Sequence, residues 1–140
     1  MSIKETLTRI INAIKTAQTD ISALQGNDYI VDQDTSGIWT YRKWNSGAVD
    51  LWAKDSISSL AMTTTKGSMY SSTQIQKDLP FTVYNGVASV SIGATGTSTY
   101  YPWAGNVRVY QQSIRYYAIC PSSVTVNADS ISYTVTGTWK

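Results

Sequence analysis

Residues 1–26 constrain the chain more than any other stretch. Apolar side chains fall at Ile3, Leu7, Ile10, Ile14, Ala17, Ile21 and Leu24, alternating steps of four and three. That is an unbroken heptad pattern, with Leu7, Ile14 and Ile21 at a and Ile3, Ile10, Ala17 and Leu24 at d. At ~1.5 Å per residue the helix would be roughly 33 Å long, and alone it would be marginal in water because its stripe needs a partner. The seam is β-branched at both a and d (Ile10, Ile14, Ile21), a mix that moves preference from parallel dimers toward trimers and tetramers. The flanking e and g positions are mostly uncharged: Thr6, Ile11, Ala13, Gln18 and Gln25 against Lys4 and Asp20. Wider bundles cover more of those flanks, so the spacing predicts a parallel trimeric coiled coil. An amphipathic helix laid on its own domain has nearly the same spacing and is the alternative. Gly26, followed by Asn27-Asp28, is a stop signal.

At Gly26 the composition turns from helix formers to Val, Ile, Thr, Tyr and Trp broken by Gly, Asn and Ser, which predicts an all-β domain over 27–140. The first strand is expected at Asp28–Asp32, a turn at Asp34–Gly37, and a strong alternating strand at Gly37–Trp44. Asn45-Ser46-Gly47 then makes a hairpin loop, with Gly47 at the position needing positive φ, and Ala48–Ala53 returns. Ser59–Thr65 reads as a further strand, with Lys66-Gly67 turning the chain, while Tyr70–Asp78 has no clear period. Phe81–Tyr84 and Val87–Ile92 flank Asn85-Gly86 and predict a second hairpin with a type I′ turn. Gly93–Thr99 reads as a flexible loop. Strands starting at Asn106 and Ile114, the latter ended by Pro121, and a last one at Ser130–Trp139 bring the total to eight to ten. The expected fold is mainly β, an antiparallel, jelly-roll-like β-sandwich head preceded by the helix.

Much familiar chemistry is missing from the sequence. There is no histidine, and a single Cys120 in an apolar run reads as a buried filler. No phosphate-loop, nucleophile-elbow or calcium-loop pattern occurs. Asp28, Asp32 and Asp34 are close in sequence but sit where turn formers belong. No catalytic residue, metal ligand or cofactor is therefore expected. A net charge of +2 gives no reason to expect nucleic acid, and no apolar run approaches the ~20 residues of a membrane span. The polar, heptad-patterned start does not resemble a signal peptide.

Only 14% of residues are charged, and five Trp and ten Tyr stand against one Phe. Tyr and Trp pair a flat apolar face with a polar tip, which suits interfaces and sugar-stacking platforms. Tyr100, Tyr101 and Trp103 follow a Gly/Ser/Thr stretch and are the candidate ligand-binding residues. Closing one end of the head, or filling a subunit interface, would explain the same rings. Tyr116 and Tyr117 point to opposite faces of one strand, so at most one is core. Trp39, Trp44 and Trp52 are explained by packing across the first hairpin. Arg42-Lys43, Arg108 and Arg115 read as scattered, solvated or paired cations.

The segment from Ser36 to Lys54, with its Trp39-Thr40-Tyr41-Arg42-Lys43-Trp44 strand and Asn45-Ser46-Gly47 loop, resembles the opening hairpin of C-terminal domains in bacteriophage tail-fibre and minor structural proteins. The likeness is good over residues 28–54 and only general elsewhere. It implies a trimeric β-sandwich knob on a coiled-coil stalk, made in the bacterial cytoplasm and carried on the virion. The implied partners are other virion proteins and a bacterial surface polysaccharide or receptor, and no residue-level binding motif carries over. A structural virion part that reads no receptor, such as a head or neck fibre, is the second expectation. A surface-polysaccharide depolymerase is the third, and 140 residues are too few for the long β-helical bodies such enzymes carry.

Overall fold

The structure is a computed structural model, and it describes residues 1–94 and 100–140 apart from the side chains of Leu24 and Gln25. It is mainly β, with one N-terminal helix and two antiparallel sheets. The helix, α1 (Ile3–Gly26), starts with a reciprocal cap: the Ser2 N–H donates to Glu5 Oε2 at 2.7 Å and the Glu5 N–H to Ser2 Oγ at 3.2 Å. It ends at the glycine that the sequence marks. Every residue from Met1 to Ala23 is exposed, including the heptad residues Ile10 at 51% and Ile14 at 52%. Within this chain the stripe is not covered by the β domain. The Leu24 side chain lies outside the described residues.

The first sheet is ordered β1 (Ile30–Ser36), β2 (Trp39–Trp44), β3 (Ala48–Met62), β10 (Val124–Thr138), β7 (Tyr84–Gly93). In the second, β9 (Ser113–Cys120) is central. β8 (Trp103–Tyr110) lies on one side of it, and β5 (Met69–Ser71) and β6 (Ile75–Asp78) follow one another along the other, with β4 (Thr64–Lys66) outside β5. Alternation buries one face of each sheet: Val49, Leu51 and Ala53 on β3, Ile131, Tyr133 and Val135 on β10, and Ile114, Tyr116, Ala118 and Cys120 on β9. Across the first sheet, Trp39 lies in register with Ala53 and Ala53 with Tyr133. The small Ala53 lets the Trp39 and Tyr133 rings meet at 5.7 Å. Tyr133 reaches the other sheet, where its hydroxyl meets that of Tyr116 at 2.9 Å. Burial raises the pKa of both phenols, so the pair stays neutral and hydrogen-bonded.

Several boundaries differ from expectation. The Asp34–Gly37 turn is shorter, since Asp34–Ser36 belong to β1 and only Gly37-Ile38 turn. The two strands expected at Ala48–Ala53 and Ser59–Thr65 are largely one, β3, which bends at Ser59 (φ 59°) and ends before β4. The stretch from Tyr70 to Asp78, without a readable period, supplies part of β5 and all of β6. Asn85-Gly86 makes no hairpin. Asn85 has φ 51°, as a turn would need, but the two residues face Gly137 alone as a bulge in β7. A second bulge, Asn106-Val107 opposite Tyr116, has Asn106 at φ 52°. Gly47, at φ 98°, does occupy the hairpin position expected of it, and Cys120 is buried and free. Of the expected loop Gly93–Thr99, residues 95–99 lie outside the described residues.

Between the sheets Lys77 and Asp55 form an ion pair. Burial alone would raise the Asp55 pKa, but the hydrogen bond from Lys77 and that from the Ser56 N–H outweigh it and hold the carboxyl below its usual value. A carboxyl with a lowered folded pKa stabilises fully above its unfolded pKa of ~3.9 and loses that contribution as pH falls through the folded value. Asp55→Asn should therefore lower stability at neutral pH and flatten its decline below about pH 4, read by urea unfolding at a series of pH values. For the phenol pair, Tyr116→Phe or Tyr133→Phe strands one buried hydroxyl and should cost ~1–3 kcal/mol. The double variant should cost less than the sum of the singles, measured as a double-mutant cycle.

Candidate functional site

The register gives the head a base and a tip. The helix feeds β1, whose Ile30 lies opposite Trp44, and the adjoining ends of β3 and β10 meet where Ala48 faces Thr138. The Asn45-Ser46-Gly47 loop is tied down at this base. Its Asn45 N–H donates to Tyr29 O at 2.9 Å, Ser46 Oγ to Asp28 Oδ2 at 2.9 Å, and the Trp139 N–H to Gly47 O at 2.9 Å. The other ends of β3 and β10 meet at Met62 and Val124, reached from Cys120 by a short connection. Trp103 faces Ile119 next to that end, so Tyr100, Tyr101 and Trp103 lie at the tip, away from the helix. They are 39%, 81% and 44% exposed. Trp103 is the first residue of β8 rather than part of a loop, so two of the three rings precede the strand and the third sits on the sheet.

The outward face of the β9 sheet carries a second cluster, which sequence reasoning missed. Ser113, Arg115, Tyr117 and Ile119 alternate with the buried side of β9 and so point outward. In register beside them are Tyr110 and Asp78 at the Ser113 row, Arg108 and Gln76 at the Arg115 row, and Trp103 and Ser71 at the Ile119 row. The Arg115 guanidinium lies 4.5 Å over the Tyr110 ring, while Arg108 Nε donates to Asn106 Oδ1 at 3.0 Å. Gln76 Nε2 donates to Asp78 Oδ1 at 2.8 Å, and Gln74 Nε2 to the Tyr117 hydroxyl at 3.3 Å. A groove of about 800 Å³ is bounded by Gln76, Asp78, Tyr110, Gln111, Gln112 and Arg115. A smaller depression of about 310 Å³, between Lys66, Ser71, Asn106 and Tyr117, lies nearer the tip.

Hydrogen bonds tie the groove's walls together. The Leu79 N–H donates to Gln112 O at 2.9 Å and the Val83 N–H to Gln111 O at 2.7 Å. Trp39 Nε1, from the other sheet, donates to Asp78 O at 2.7 Å. Three buried side-chain atoms have no hydrogen-bond partner by geometry among the described residues: Asp55 Oδ2, which is held in the ion pair with Lys77, and, on this face, Arg115 Nε in the groove and Ser71 Oγ in the depression. The sequence signal was the residue types, planar amides, arginines and tyrosines, but only the register brings them together.

The remaining candidates have local partners of their own. Asp28 holds Ser46, Asp32 pairs with Lys43 at 3.2 Å, and Asp34 Oδ1 accepts from the Thr35 N–H at 2.7 Å. Trp44 Nε1 donates to Asp50 Oδ2 at 2.9 Å and Trp52 lies under Arg42. Among the described residues no three metal-ligating side chains converge, and no helix is long and apolar enough to cross a membrane.

No protein-family model matches the chain, and no curated protein matches it. Solved structures to which it is similar include pyocin tail fibres. It is similar to the C-terminal part of the R1 pyocin fibre of P. aeruginosa, with 14% identity and a TM-score of 0.43 over 79% of this chain and 27% of that one. It is also similar to an N-truncated R2-type pyocin tail fibre, with 10% identity and a TM-score of 0.39 over 79% and 37% of the two chains. A third likeness is to an N-truncated R1-type pyocin tail fibre, with 14% identity and a TM-score of 0.32 over 79% and 83%. The chain thus spans 27% and 37% of the first two structures.

Exposure separates the tip rings from the core aromatics energetically. Tyr101→Ala should leave stability within ~0.5 kcal/mol of the parent, whereas Trp39→Ala should cost ~3–5 kcal/mol. Thermal unfolding of the two variants side by side checks this.

Proposed function

We propose that the chain is a bacteriophage virion appendage, a tail-fibre or baseplate protein whose N-terminal helices form a parallel trimeric coiled coil carrying sandwich-type β heads. The observation that carries this reading is the bare heptad stripe: Leu7, Ile10, Ile14 and Ile21 are each about half exposed on a helix that its own head does not cover. An apolar seam of that length is stable only when other helices close over it. The resemblance of the Ser36–Lys54 hairpin to tail-fibre domains supports the setting. Three heads on one stalk multiply weak contacts into avidity, which suits attachment to a repetitive bacterial surface. Recognition of a cell-surface glycan or other receptor would fall at the tip, on Tyr100, Tyr101 and Trp103. The protein on this reading needs no cofactor and catalyses no reaction.

Light scattering should give a mass near three times 15.4 kDa for the whole chain. Ile10→Asp with Ile14→Asp should reduce it to one chain while the β domain keeps its circular dichroism. A monomeric parent chain would overturn the trimer. A trimer that survives both substitutions would place its main interface in the heads.

A further inference from the structure

We infer that the outward face of the β9 sheet is a binding track for an acidic polysaccharide chain, running from the base of the head up to Trp103, the one ring it shares with the aromatic tip. The first observation is electrostatic. Arg108 and Arg115 are direct cross-strand partners, an arrangement of like charges that destabilises a sheet. Neither joins an ion pair among the described residues. With Lys66 nearby, the outward positions of these strands carry three cations and one carboxylate, Asp78, which accepts a hydrogen bond from Gln76. An anion placed between the two guanidiniums turns their repulsion into two charge-assisted contacts.

The second observation is unsatisfied bonding capacity. Buried polar atoms almost always have partners, and those that lack them call for an explanation. Arg115 Nε and Ser71 Oγ, the latter on a residue only 3% exposed, line the two depressions of this one face. A polyhydroxylated ligand lying along the face, with these two side chains turned outward to meet it, offers acceptors and donors to both. The third is shape. Tyr110, Tyr117 and Trp103 succeed one another along the sheet as flat apolar surfaces, on which pyranose rings stack. From the Ser113 row to the Ile119 row is six residues, ~20 Å of strand, which takes a run of sugars rather than one. Stacking surfaces interleaved with amides, hydroxyls and an arginine pair fit a chain of sugars bearing carboxylates. The proposal rests on the fibre reading only in taking that chain to be on a cell surface.

The test is an array of uronate-bearing bacterial polysaccharides, each printed beside its carboxyl-reduced form and probed with the whole chain. We expect at least one acidic polysaccharide to be bound tenfold or more above its reduced form, with the signal falling as salt rises. Arg108→Gln with Arg115→Gln, and separately Tyr110→Ala, should each lower that signal tenfold or more. Arg9→Gln, which removes an exposed cation on the helix away from this face, should leave it unchanged. The double arginine variant should melt no lower than the parent, because it relieves a like-charge pair, so lost binding is not lost folding. Equal binding to the reduced forms, full binding by the double variant, or no binding to any printed polysaccharide would each overturn the proposal. A changed oligomeric mass in the double variant would do the same by marking the face as a contact between copies. A chain that binds whole cells through Tyr101 but none of the printed polysaccharides leaves the fibre reading standing and this one overturned.

Discussion

Of the directional contacts that join the two layers, the most deeply buried is the pair of phenols at Tyr116 and Tyr133, and the packing of the head is organised around it. Each sheet offers an alternating apolar face, and alternation alone does not fix how two such faces sit on one another. A directional bond between two neutral hydroxyls in a low-dielectric interior does, because any sliding of the layers would strand both groups without water. The packing around it follows the same logic. Trp39 reaches Tyr133 over the small Ala53, and its ring nitrogen crosses to the backbone carbonyl of Asp78, a residue that lines the outward groove. The interior thus positions the exterior: the edge of the candidate binding face hangs on a core tryptophan.

The parts of this architecture that were legible in the sequence are those set by local periodicity. The heptad spacing and Gly26 define the helix, and Gly47 defines the turn of the first hairpin. Asn85-Gly86 shows where local chemistry stops being informative. A left-handed residue serves a hairpin and a bulge equally well, and only the strand opposite, here β10 with Gly137, decides between them. Gly137 is itself required there, since a side chain would meet Val83 and the Tyr84 carbonyl within 2.7 Å.

The candidate site divides along the same line. Tyr100, Tyr101 and Trp103 could be picked out because they stand together in the sequence next to small residues. Arg108 and Arg115 could not, because their meeting depends on the register between β8 and β9 and on the one-residue slip at Asn106. Cations that look scattered along the chain are neighbours across the sheet. Ser71 and Lys66 fall near a stretch without readable period, and their place became visible only with β4 and β5 paired.

The junction at the base has a mechanical meaning. The helix passes into β1 through Asp28 and Tyr29, both hydrogen-bonded to the Asn45-Ser46-Gly47 loop, and β1 then runs away from the helix toward the far end of the head. A pull on the helix therefore draws β1 along its own axis, and the ladder to β2, whose bonds lie across the strands, takes the load in shear. Bonds sheared together fail together, whereas bonds peeled from one end fail one by one. The entry of the helix at this end of an edge strand turns the strand from the weakest margin of the sheet into its tether.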